Sequence, residues 1–180
     1  MFIEEVKVEE AVNSIKTIWP EGLCRVHKRE EYVGWSEIVF TVDSGASETV
    51  IGLDCLSAVP LVQGIAAQND VKYECANGAI IKNLGEKTFV GTWFAGNRDG
   101  RGISRPMTAQ VTSVNKAPMS VGKLEDGGYE VHFGGAGNSY IRDRSTGERM
   151  WMEKNGAVYN LKLWVKDPTA IGQGFHGQGM

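Results

Sequence analysis

The sequence predicts an all-β domain, and three observations carry that prediction. Short β-branched stretches recur along the chain with turn signals every 8–12 residues, the pattern of a sandwich or barrel. Glycine is abundant, 23 residues against 5 prolines, as expected where short strands meet tight turns. The apolar residues mostly alternate with period two and not at helical spacing.

The strands can be placed in order. Trp35 to Val42 alternates imperfectly and ends in Ile38-Val39-Phe40-Thr41-Val42, directly before Asp43-Ser44-Gly45-Ala46. Thr49-Val50-Ile51 returns to apolar packing. Residues 71–76 alternate and meet Asn77-Gly78, the dipeptide of a type I′ hairpin turn, with Ala79-Ile80-Ile81 as the return strand. Lys87–Phe94 and Met107–Val114 read as further strands, joined by an exposed loop over 96–102. Val121–Gly127 fits a turn or two of helix closed by Gly127-Gly128. Tyr129–Phe133, Ser139–Asp143, Met150–Glu153 and Val158–Val165 complete a meander.

The ends differ from this pattern. Val8, Ala11, Val12, Ile15, Ile18 and Trp19 form one apolar helical stripe that Pro20 and Gly22 terminate, so 1–34 is expected to be a helical extension. Residues 35–166 form the β domain. Residues 167–180 are expected to be a flexible glycine-rich tail.

Composition excludes several classes. At 180 residues, 42% hydrophobic and 23% charged, the chain is long enough for one ordinary core and is neither disordered nor fibrous. A net charge of -3 argues against nucleic-acid binding by this domain. No apolar run approaches the roughly 18 residues of a membrane span. The acidic N-terminus is unlike a secretory signal, and three cysteines at unrelated spacings read as reduced thiols, so an intracellular, cytoplasmic setting is expected. His27, His132 and His176 are far apart and Cys24-Arg25-Val26-His27 lacks a second ligand pair, so no metal is expected. No phosphate-binding glycine motif occurs and no cofactor is implied. No GxSxG elbow surrounds any serine.

One segment stands above this background. Asp43-Ser44-Gly45 places a carboxylate, a hydroxyl and a glycine at the end of an apolar strand. A sheet behind the carboxylate would hold it in place, the hydroxyl could lock the loop, and the glycine would permit close approach. An ordinary Asp-Ser-Gly β-turn is the competing account of the tripeptide.

The longer string Asp43-Ser44-Gly45-Ala46-Ser47-Glu48-Thr49-Val50-Ile51 resembles the active-site segment of retroviral-type aspartic proteases (retropepsins). There the pattern is Asp-Thr/Ser-Gly-Ala, two often acidic positions, then Thr-Val-Leu/Ile. Pro118–Leu124 followed by Gly128–Phe133 resembles the family's later segment, in which a glycine precedes a short helix and a strand. Ser120-Val121-Gly122-Lys123-Leu124, Gly128-Tyr129 and Val131-His132-Phe133, with the Thr-Gly, Asn-Gly and Val-Tyr pairs at 146–159 and Leu161, resemble Copia-type retrotransposon polyproteins. The resemblance covers about residues 35–165.

It implies a small, partly closed acid-protease barrel with one short helix, beside the accessory N-terminal helix. It also implies an aspartic endopeptidase acting on a polypeptide, its own polyprotein included. With one Asp-Ser-Gly per chain, a homodimer must bring two copies of Asp43 together. Ser44 would brace the opposing loop and Gly45 would face substrate backbone. Ala46, Ser47, Glu48, Val121 and Gly122 would line substrate subsites. The hairpin at Asn77, Gly78 and Ala79 falls where the family has its flap. Two departures stand out: Ser47 is where Asp is more usual, and Lys123 is where Arg or Asp is common. The alternative is a catalytically inactive module of the same fold that serves dimerisation or peptide binding.

Overall fold

The computed structural model describes residues 34–94 and 102–169. The helical stripe at 8–19, most of the loop after Phe94 and the tail from Ala170 lie outside the described residues. Among the described residues, twelve strands and two short helices follow one another. They are β1 Trp35–Asp43, β2 Val50–Gly52, α1 Ile65–Gln68, β3 Lys72–Glu74, β4 Ile80–Lys82, β5 Gly85–Phe94 and β6 Gly102–Thr112. Then come β7 Pro118–Ser120, α2 Val121–Asp126, β8 Tyr129–His132, β9 Tyr140–Asp143, β10 Arg149–Trp151, β11 Glu153–Asn155 and β12 Val158–Lys166. The domain is thus mostly β, as expected.

The main sheet is nearly closed and barrel-like, in the order β2-β6-β5-β12-β1-β7, with β11 added to β12. Its inward residues explain why these segments are strands. Ile38, Phe40 and Val42 of β1, Ala109 and Val111 of β6, and Leu161, Leu163 and Val165 of β12 alternate and are all buried. A three-stranded sheet, β10-β9-β8, lies against this core through Ile141 and Met150. The Arg105 guanidinium of β6 ties it down by reaching Asp143 and Glu148 at 2.9 and 2.6 Å. Ser145 above all, and then Arg105, hold the Asp143 carboxyl at about 2, well below the usual carboxylate range.

Several expectations need correction. The last strands are not a simple meander, because β12 leaves its hairpin and inserts between β1 and β5, running antiparallel to both. Strand β6 begins before Pro106, in a stretch paired only with β5, where an edge tolerates proline. The hairpin over Asn77-Gly78 is not type I′. Gly78 alone has positive φ (+78°), while the Gly78 amide donates to Cys75 O and the Cys75 amide to Ala79 O. That is a three-residue loop with a glycine bulge. Helix α1 had no sequence counterpart. Cys55 is disulfide-bonded, which corrects the reading of three reduced thiols; Cys75 is free.

One lysine is buried in the barrel wall. Lys87 of β5 is 3% exposed, and its ammonium donates to the carbonyls of Cys55 and Leu56 at 2.7 and 3.1 Å. Burial lowers its proton affinity, and Asp54 partly restores it. Leu56 has positive φ, and the lysine holds that strained bend against the barrel.

Candidate active site

The site is built by an exchange of strands. Strand β1 ends at Asp43, and the loop after it carries the chain to β2, which pairs in parallel with β6 at Val50↔Gln110 and Ile51↔Val111. Strand β6 in turn leads to β7, which pairs in parallel with β1 at Val42↔Met119 and Asp43↔Ser120. Each connection thus crosses to the other's strand. The crossing is tight: a Cβ on Gly52 would stand 2.7 Å from the Val114 carbonyl oxygen, so only glycine fits.

Buried hydrogen bonds lock the crossing. The Thr41 amide donates to Ala117 O at 2.9 Å and the Gln110 amide to Thr49 O at 2.9 Å. Ser120 is 1% exposed and serves both connections. Its amide donates to Thr49 Oγ1 at 3.1 Å, and its hydroxyl donates to Ala46 O at 2.6 Å. The same hydroxyl accepts from the Lys123 amide at 3.2 Å and so caps α2. Behind Asp43, the Thr41 hydroxyl donates to Asn160 Oδ1 of β12 at 3.1 Å.

The carboxylate sits on this floor. Asp43, Ser44 and Gly45 are exposed. The Gly45 amide donates to Asp43 Oδ1 at 2.7 Å, fixing one carboxyl oxygen over the loop. A Cβ at Gly45 would approach that oxygen to 3.3 Å.

The residues expected to line subsites are also gathered here. Ala46 and Val121 are half-buried, and Ser47 and Gly122 are exposed. The half-buried Glu48 takes an ion pair with Lys123 Nζ at 3.0 Å, joining the loop after Asp43 to α2. The hydrogen bond and charge of Glu48 raise the lysine's proton affinity, and Asp126 and Tyr73 add to the effect. The acid of this pair is therefore at 48, one residue beyond where the departure at Ser47 drew attention.

Asn77, Gly78 and Ala79 form an exposed hairpin tip, with the Ala79 amide on Asn77 Oδ1 at 3.1 Å. The stem of this hairpin carries Tyr73. Tyr73 of β3 is near enough to Lys123 to influence it. Its hydroxyl accepts from Asn83 Nδ2 at 2.8 Å, and the same Nδ2 reaches Gln110 Oε1 at 2.7 Å. Asn83 is buried and also accepts from the Gly85 amide, so it anchors the stem to the barrel.

Sequence reading quoted Ser120 and Thr49 within longer strings without giving either a role, and it did not single out the Tyr73–Asn83 anchor. A serine just before a short helix does signal an N-cap, so Ser120 was open to detection. Among the described residues no three His, Cys, Asp or Glu side chains cluster as a metal site would need. No described helix is long and apolar enough to cross a membrane. No family model, no curated protein and no solved structure matches this chain.

Proposed function

We propose that the chain is an aspartic endopeptidase of the retroviral and retrotransposon type, with a retropepsin-like barrel, acting as a homodimer. The observation that carries the reading is the strand exchange beneath Asp43. It presents an exposed carboxylate, braced by the Gly45 amide, on a floor held by Ser120 and Thr49. An ordinary surface turn needs no such foundation.

In the dimer the two copies of Asp43 meet across a two-fold axis. Like charges so close cannot both ionise, so the pair shares one proton. The ionised carboxylate takes a proton from water as that water attacks the scissile carbonyl. The protonated one hydrogen-bonds the carbonyl oxygen and then protonates the leaving amine. Ser44 braces the opposing loop, Gly45 meets substrate backbone, and Glu48 with Lys123 lines a charged subsite. The hairpin of β3 and β4 closes over the peptide and excludes water.

The test is cleavage of a mixed peptide library at pH 4–7, over a hundredfold range of protein concentration, with and without a statine-type inhibitor. Specific activity should rise with concentration, vanish with inhibitor and be abolished in Asp43→Asn. A protein that is dimeric in solution yet cleaves nothing would overturn the reading in favour of a binding module.

A further inference from the structure

The three-stranded sheet of β8, β9 and β10 has an outer face that the site above does not use. Register assigns its residues. Ile141 and Met150 point into the core, so Tyr140 and Arg142 of β9 and Arg149 and Trp151 of β10 point outward. Opposite them on β8, His132 pairs with Tyr140 and Glu130 with Arg142. Six outward positions thus hold three rings, two guanidinium groups and one carboxylate, with no aliphatic side chain among them.

The rings form one row across the sheet. His132 stacks on Tyr140 with centroids 4.9 Å apart, and Trp151 meets Tyr140 edge-on at 5.2 Å. The Arg149 guanidinium lies over the Tyr140 ring at 4.4 Å. Tyr140 is half-buried between its neighbours, whereas His132 is exposed and Trp151 is 40% exposed. The ends of the row therefore present ring surface to solvent. Trp93 Nε1 donates to Trp151 O at 3.2 Å and holds that end to the barrel.

The charge is cationic. Glu130 is paired with Arg142 and lies within the electrostatic reach of Arg144 and His132. The six outward positions carry two arginines against one acid, and Arg144 lies just beyond them in the β9–β10 hairpin, whose Asp143 and Glu148 are paired with Arg105. The chain's overall charge of -3 is thus unevenly distributed, and the composition argument against nucleic acid does not describe this face.

We propose that the outer face of the β8–β9–β10 sheet binds single-stranded nucleic acid. Bases stack on the exposed rings of His132 and Trp151, and Arg144 and Arg149 meet the phosphates. Rings tolerate any base because every base has a π-face, and guanidinium groups suit both phosphate and stacked rings. A flat sheet admits unpaired bases, which a duplex keeps stacked inside. The proposal is independent of proteolysis.

The test is fluorescence anisotropy of the full chain with labelled 12-nucleotide oligo(U), oligo(dT) and a 12-base-pair duplex, at 50 and 200 mM KCl. Both single strands should bind more tightly than the duplex, by tenfold or more. Two or three phosphate contacts imply a loss of roughly tenfold in affinity between the two salt concentrations. Arg149→Glu and Trp151→Ser should each weaken binding at least tenfold with unchanged circular dichroism. Asp43→Asn and Lys82→Glu, both elsewhere, should leave it intact. The proposal is overturned by no binding at 50 mM KCl, by equal affinity for the duplex, by full binding in both face variants, or by displacement with an oligo-glutamate peptide at equal concentration.

Discussion

The loop after Asp43 and the hairpin of β3 and β4 are both exposed, but they are held in different ways. The loop rests on bonds from two distant segments: the Gln110 amide reaches Thr49, and Ser120 reaches Ala46 and Thr49 across more than seventy residues. The hairpin makes its own turn and leans on the barrel through one tyrosine and one buried asparagine. Its strands are three residues each and mostly exposed. The loop is thus held by non-local bonds on a packed floor, and the hairpin by a smaller anchor that local opening could release.

Four perturbations test this contrast, from the largest expected effect to the smallest. Ser120→Ala removes the donor to Ala46 O and the cap of α2, and should cost about 2 kcal/mol of global stability in urea melts. A loss under about 0.5 kcal/mol would mean that the floor is held elsewhere. Tyr73→Phe removes the hairpin anchor and should cost about 1 kcal/mol locally. That is roughly a fivefold faster amide exchange within β3 and β4, with the urea midpoint unmoved. Exchange that quickens equally in β1 would erase the distinction between the two regions.

Acid supplies a third, gentler test. Asp70 at the hairpin base touches Lys72 and Lys82, which face each other across the strands. The hydrogen bond and charge of Lys72, then Lys82, hold its carboxyl below the ordinary value near 3.8. Its contribution is therefore whole above that ordinary value and is lost as pH falls through the lower folded value. The hairpin's protection factors should decline over that window by under about twofold, since the group is well exposed. Those of β1 should not follow; parallel decline would count against separate anchoring. Gly122→Ala should change stability by less than about 0.5 kcal/mol, because its Cβ would meet only Ser120 Oγ at 3.8 Å. If the variant folds normally but loses concentration-dependent cleavage, the space over Gly122 is filled by the second subunit or the substrate. Unchanged cleavage would leave that space unassigned.

Much of this arrangement was legible because it is local. Strand β1 running into Asp43, the helix ending at Gly127 and the strand from Tyr129 each follow from residues within one turn or one strand. What was illegible depends on distant partners. Asn77-Gly78 looked like a primed turn, yet only the glycine has positive φ, and one more residue in the loop resets the register. Lys87 fits an outward strand position by type, and three carbonyls from the Leu53–Leu56 bend make burial tolerable. The partner of Lys123 could not be read from spacing, because whether residue 47 or 48 faces α2 depends on how the loop crosses. Pro106 masked the first half of β6, since proline at a paired centre would have ended a strand.

The placement of β12 bears on when the molecule can exist at all. This strand comes last in the described chain and yet lies next to the strand that bears Asp43. A nascent chain that has emerged only as far as residue 150 holds every group of the candidate site but not the neighbour that pairs with Trp35–Thr41. Until residues 158–166 emerge, β1 has an open, apolar edge, the kind of surface that chaperones cover and that drives aggregation. Closure of the barrel thus waits on a long-range pairing between the first and last described strands, the kind of contact that forms slowly.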